Sequence, residues 1–184
     1  MTRIVVLLLL ATSQVSFADT LFIHGGGGPQ ASGNQNHLTA GLDYEFWHHD
    51  RSARQAFTIG VSYTYLHSDE GPNKELHAIS IYPQLTLTPV DKNQFSRWLP
   101  ENSTPYFFVR ALGPTYISEP TIGERKQHNH FTFQAGFGVG VKFKSSRGHD
   151  RDLRVAWKHY SNANLYSENQ GIDIPLVLSF GMKF

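Results

Sequence analysis

His159 and Ser161 stand two residues apart at the end of an alternating stretch, Leu153, Val155, Trp157, whose apolar side chains share a strand face with them. An imidazole that titrates near neutrality, beside a hydroxyl, is the elementary apparatus of acyl transfer. The hydroxyl is a poor nucleophile until a base removes its proton. The spacing predicts an ester-hydrolysing site, of esterase or lipase type, at the point where a greasy stripe turns polar. Tyr160, between the two, points to the opposite face and reads as a packing residue.

Positioning such a pair requires a long strand with one face turned to an apolar medium, and the rest of the chain repeats that pattern. Eight stretches of about ten residues show period-two hydrophobicity, the signature of membrane-spanning strands. The clearest sets Phe131, Phe133, Ala135, Phe137, Val139, Val141 and Phe143 against Thr132, Gln134, Gly136, Gly138, Gly140, Lys142 and Lys144. A soluble barrel buries the apolar face; a membrane barrel turns it outward and leaves small and polar side chains for a narrow lumen. The glycines favour the second arrangement. The same alternation runs through Leu38 to Phe46, Phe57 to Tyr65 and Ile79 to Leu87, where Pro83 predicts a bulge or a broken ladder. Further stretches cover Leu21 to Gly28, Thr104 to Gly113, Asp152 to Asn162 and Leu176 to the terminal Phe184.

Residues 1 to 18 combine Arg3, an apolar run from Ile4 to Ala11, and small residues at Ser16 and Ala18. This reads as a secretory signal, so residues 19 to 184 form the expected mature domain. Without Arg3, basic and acidic side chains balance at 15 each, leaving no charge excess to attract nucleic acid. The chain has no cysteine, which removes disulfides and thiolate chemistry. The predicted fold is an all-β, eight-stranded antiparallel transmembrane barrel. With strand one starting on the periplasmic side, connections Pro29 to Asn36, Ser68 to Asn73, Pro114 to Asn129 and Asn162 to Gly171 face outside. Connections His48 to Ala53, Val90 to Ser103 and Ser145 to Asp150 face the periplasm.

The terminal phenylalanine resembles the final-strand signal of bacterial outer-membrane barrels. His159, Ser161, Asn162, Ala163 and Asn164, followed by Asn169, Gly171 and Asp173, resemble the signature of the lipid A 3-O-deacylase family. The resemblance implies a Ser-His-acid triad on the outer wall of the barrel: Ser161 as nucleophile, His159 as base and then acid, Asp173 orienting the imidazole. The Asn164 backbone amide and the Asn169 side chain would form the oxyanion hole. Asp173 stands where the family usually has glutamate, and Asn164 where it has glycine. The shorter acid is therefore expected to hold His159 less well, and asparagine to tolerate the unusual backbone angles. Lipopolysaccharide in the outer membrane of a Gram-negative bacterium is the implied substrate, without metal or cofactor. A homodimer stays open.

Rival features weigh less. Glu168 could replace Asp173 as the acid but reads as a solvated loop carboxylate. Trp157 could line an acyl groove or serve as an interfacial anchor. His48 with His49, and His128 with His130, lack the carboxylate set that a metal site would add. His24 before Gly25 to Gly28 lacks the lysine and helix start of a phosphate loop. Two other readings share the same pattern: a non-catalytic structural or adhesive barrel that keeps a degenerate motif, and a soluble lipocalin-like barrel.

Overall fold

The computed structural model describes residues 19–89, 99 and 103–184. The expected signal segment and most of the Val90 to Ser103 connection lie outside the described residues. The elements in order are β1 (Thr20–Pro29), β2 (Asn36–Ser52), β3 (Gln55–Ser68), β4 (Glu75–Leu87), β5 (Thr104–Ile117), β6 (Thr121–Ile122), β7 (Arg125–Lys126), β8 (Phe131–Lys144), β9 (Asp150–Ser161) and β10 (Ile172–Lys183). Eight of these close into a barrel in the order β1-β10-β9-β8-β5-β4-β3-β2, while β6 and β7 form a small hairpin inside the β5–β8 connection. Every pairing is antiparallel, and Thr20↔Lys183 through Gly27↔Leu176 zip the two ends of the barrel chain together.

Alternation decides which face meets lipid. Ile23, Leu38, Leu42, Ile79, Ile81, Phe137, Val139, Leu153, Val155 and Leu178 are exposed on the outer wall, whereas Asp43, Glu45, Arg110, Asp152, Arg154 and Lys158 are buried in the lumen. A soluble barrel would have the reverse, which rules out the lipocalin-like reading. The lumen charges are paired. Arg154 donates to both oxygens of Glu45 at 2.6 and 3.2 Å, and Arg110 donates to Asp43 at 2.7 Å. The two guanidinium groups also lie over the rings of Phe22 and Tyr82. Buried ions survive only with such compensation.

The lumen departs from the expectation of small and polar filling. Toward the long loops it is sealed by an apolar plug, Leu66, Leu76, Ala78, Ile117, Ile122, Tyr160, Ile172, Ile174 and Val177. Ile122 belongs to the β6–β7 hairpin, so a loop folds back to close the barrel end. Two connections also shrink relative to expectation. The segment His48 to Ala53, expected as a periplasmic connection, stays in the ladder as far as Ser52↔Gln55. Trp47 packs edge-on against Phe57 there and His48 meets Thr58, contacts that extend the strands past the apolar belt. Pro114 likewise lies inside β5. Pro83 keeps its place opposite Ile59 in the β3–β4 ladder, and the β4–β5 register breaks beside it, between Ser80 and Gln84.

Candidate active site

β9 alternates Leu153, Val155, Trp157, His159 and Ser161 outward against Asp152, Arg154, Lys158 and Tyr160 buried in the lumen. Tyr160 accepts a hydrogen bond there from Gln134 Nε2 at 3.1 Å. Across the β9–β10 ladder, Asp173 pairs directly with His159. Its Oδ1 accepts the His159 Nδ1 proton at 2.8 Å. That bond fixes the tautomer, because a carboxylate can only accept, and it leaves Nε2 as the lone-pair nitrogen. The two side chains are 23% and 13% exposed, so the pair is sheltered yet reachable from the side of the barrel.

This pairing depends on an irregularity. The β10 register shifts between Ile174 and Val177, where two residues, Pro175 and Leu176, oppose the single Trp157. Proline lacks a ladder proton and is at home in a bulge. The glycines of β1 make room for it. A Cβ on Gly26 would collide with the Leu176 carbonyl, and one on Gly28 would lie 2.5 Å from Pro175 Cγ. The glycine-rich first strand thus serves the bulge that carries Asp173.

The imidazole is held on further sides. Trp157 stacks on it, with ring centroids 5.2 Å apart at 14°, and itself packs against Phe137. Trp157 is therefore part of the His159 surroundings. Gly171 lies so close that any Cβ would run into the His159 ring. Glu168 is engaged elsewhere: its carboxylate accepts from Lys126 Nζ at 2.8 Å, and that hydrogen bond lowers its pKa below the ordinary glutamate value.

Ser161 sits on the same outward face as His159, but among the described residues no hydrogen bond joins its hydroxyl to the imidazole. Two residues along a strand are roughly 7 Å apart, so contact requires a side-chain rotation of the kind that substrate-free sites often need. Just beyond, Ala163 and Asn164 take positive φ angles of 54° and 61°, the conformation that glycine favours and asparagine accepts. The Asn169 side chain organises this turn. Its Oδ1 accepts from Asn162 N at 2.9 Å and its Nδ2 donates to Asn164 Oδ1 at 2.7 Å. The β7 segment steadies the loop from the other side: Gln170 N donates to the Lys126 carbonyl and Gln127 Nε2 to the Gln170 carbonyl.

Two contributors had no signal in the sequence. Gln30, 4% exposed, donates from Nε2 to Asp173 Oδ2 at 2.8 Å and to the Gly171 carbonyl at 3.0 Å, and accepts from Asp173 N at 2.9 Å. His37 Nδ1 donates to the Asp173 carbonyl at 3.0 Å, its other nitrogen being 2.7 Å from Gln35 Nε2. The His128 and His130 pair beyond the site has local partners: His128 stacks on Tyr166, and His130 donates to the Ile117 carbonyl. His24 lies in the lumen beside Asp43. A cavity of about 300 Å³ opens at the short-turn end, lined by residues such as His48, Lys142 and Asp152, far along the strands from His159.

Fold and site together describe a transmembrane β-barrel whose lumen is plugged and whose chemically equipped residues lie on the outer wall. Residues 39–183 match the family model described as lipid A 3-O-deacylase (PagL), and the chain belongs to that family. Among solved structures it is similar to the outer membrane enzyme PagL, at 18% identity, with 91% of this chain and 99% of that one covered and a TM-score of 0.61. It is also similar to Neisserial surface protein A, at 14% identity, with coverage of 92% and 99% and a TM-score of 0.54. At these identities the two likenesses speak for the fold. No curated protein matches the chain by sequence.

Proposed function

We propose that this protein is a serine esterase of the bacterial outer membrane that removes the 3-hydroxyacyl chain ester-linked at position 3 of lipid A. The observation that carries the reading is the 2.8 Å bond from His159 Nδ1 to Asp173 Oδ1 on the lipid-facing wall, with Ser161 next on the same face. Membership of the lipid A 3-O-deacylase family supplies the substrate class, and the protein is an outer-membrane barrel of a Gram-negative bacterium. Residues 1–18 act as the export signal in this reading, and no metal or cofactor takes part.

In the proposed mechanism, Ser161 Oγ attacks the ester carbonyl as His159 Nε2 takes its proton, and Asp173 stabilises the imidazolium that results. Negative charge gathers on the carbonyl oxygen, where the Asn164 amide and the Asn169 side chain would donate; one such donor is commonly worth on the order of a hundredfold in rate. The tetrahedral species collapses by breaking the bond to the sugar oxygen, which leaves with the proton from His159. Water, deprotonated by the same imidazole, then cleaves the acyl-serine and releases the 3-hydroxy fatty acid.

Mass spectrometry of lipid A incubated with the refolded barrel tests this, with Ser161→Ala alongside. Loss of one hydroxyacyl chain from position 3 with the native protein only is the expected result. An unchanged mass with a folded native barrel would point instead to a non-catalytic barrel that keeps the motif.

A further inference from the structure

We propose that Gln30 is a positioning residue for the acid of the site: its side-chain amide continues the barrel ladder across the β10 bulge and aims the Asp173 carboxylate at His159. The proposal rests on the triad reading above and adds to it a residue that lies outside the family match, which begins at residue 39.

The ladder between β1 and β10 stops at Gly27↔Leu176. Beyond it, the bulge parts the two strands, and among the described residues Asp173 has no ladder partner on the β1 side. A buried peptide group left in that state would be costly. The Gln30 amide has the same donor and acceptor as a peptide group and fills the gap: Oε1 accepts from Asp173 N at 2.9 Å, and Nε2 donates to the Gly171 carbonyl at 3.0 Å. A side-chain amide carries one proton more than a peptide. That extra donor goes to Asp173 Oδ2 at 2.8 Å. The orientation of the amide is unambiguous, because flipping it would set Oε1 against two acceptors and Nε2 against a donor.

Three consequences converge on His159. With Oδ2 held by Gln30, the carboxylate cannot swivel, and Oδ1 is presented to Nδ1. The donor is neutral, so it orients the acid without cancelling the charge that must stabilise the imidazolium; an arginine there would do both. Fixing the Gly171 carbonyl also keeps Gly171 pressed against the imidazole. Gln30 is anchored in turn, since its backbone N donates to the Gln35 carbonyl at 3.0 Å.

The test compares wild type with Gln30→Met, Gln30→Glu and Asp173→Asn in refolded protein. It reads kcat and KM for lipid A deacylation, the pH profile of kcat, the low-field proton NMR signal of His159 Nδ1–H, and barrel closure by heat-modifiable gel mobility. Gln30→Met keeps the size and removes the amide. It should lower kcat roughly tenfold to a hundredfold with KM within twofold, as loss of a group that orients an acid does, and should shift or broaden the Nδ1–H signal in a closed barrel. Gln30→Glu keeps the acceptor for Asp173 N and donates to Oδ2 only while protonated, so its kcat relative to wild type should fall as pH rises through the carboxyl range. This second variant carries the test if Gln30→Met does not close. The proposal is overturned if either variant, in a closed barrel, keeps the wild-type kcat, pH profile and Nδ1–H signal while Asp173→Asn loses rate and signal. If Asp173→Asn itself leaves both unchanged, the triad reading is what fails.

Discussion

Asp173 faces His159 across the β9–β10 ladder only because β10 carries one residue more than β9 between Ile174 and Val177. Counting back from Val177↔Ala156 without that extra residue would pair Asp173 with Tyr160 and turn it into the lumen. A bulge re-aims a side chain in this way wherever the two-residue period must be broken. Here it places a carboxylate on the outer wall and sends Ile172 and Ile174 into the plug.

Ser161→Ala and His159→Asn should each lower deacylation by about 10⁴-fold or more, the scale on which catalytic serine and histidine act. Asp173→Ala should cost less, because the imidazole keeps its stack with Trp157. Rates from lipid A mass spectrometry, on samples that show the mobility shift of a closed barrel, check both; near-normal rates in the first two would remove these residues from the mechanism.

Asp173→Glu should lower the rate. The shorter acid was expected to reach His159 less well, yet it makes the full 2.8 Å contact and has its second oxygen held by Gln30. An added methylene gains no contact and displaces that partner, so the rate should fall several-fold. A rate above wild type would mean that Asp173 is held short of its best position.

Gly171→Ala should be among the most damaging changes of a single methyl group. Its Cβ would occupy the space of the His159 ring, and misplacing a reacting group by an ångström costs about 10²-fold. The expected signature is a collapse in kcat, with an apparent unfolding free energy within about 2 kcal/mol of wild type. The measurements are urea titration and initial rates on the same preparation.

Glu168→Gln separates the two acids. Glu168 is bound to Lys126 in the loops, with its pKa lowered by that hydrogen bond. A lowered folded-state pKa means that the contribution of the pair is present above the unfolded glutamate range and fades as pH falls through the folded value. At neutral pH the variant should keep the wild-type rate within about twofold. A loss as large as that of Asp173→Ala would make Glu168 the acid.

Glu45→Ala tests the lumen alone. It leaves Arg154 with Asp152, the Tyr106 hydroxyl and a long 3.4 Å bond to Gln84 Oε1 as polar anchors, and breaking one side of a buried pair costs roughly 3–5 kcal/mol. Folding free energy should drop by that amount, while the fraction that folds retains its rate, since Glu45 and His159 lie on opposite sides of the wall.

Strands were legible because each obeys one local rule, apolar outward at every second residue, and lipid enforces it along the whole belt. His159 with Ser161 was legible for the same reason: a spacing of two on one strand needs no tertiary information. The acid was not. Parity carried back from Leu178 and Leu176 sends Asp173 inward, and only the family resemblance named it; the extra residue at Pro175 is visible once β9 is laid alongside. Gln30 lies 143 positions from Asp173, and nothing short of barrel closure relates them. The plug also escaped, because Ile172 and Ile174 in sequence resemble one more lipid-facing pair. Gly26 to Gly28 carry no local sign of the bulge they accommodate, because Leu176 and Pro175 approach them only across the closed barrel.

Putting His159 on the outer wall makes encounter a two-dimensional problem. On the proposed reading, a lipid substrate does not arrive from solution but diffuses in the leaflet until it touches β9. The concentration that sets the rate is then molecules per unit area. Inert lipid or detergent added at fixed total substrate slows the reaction by thinning the surface, and enzyme and substrate held in separate vesicles do not meet, however concentrated the suspension.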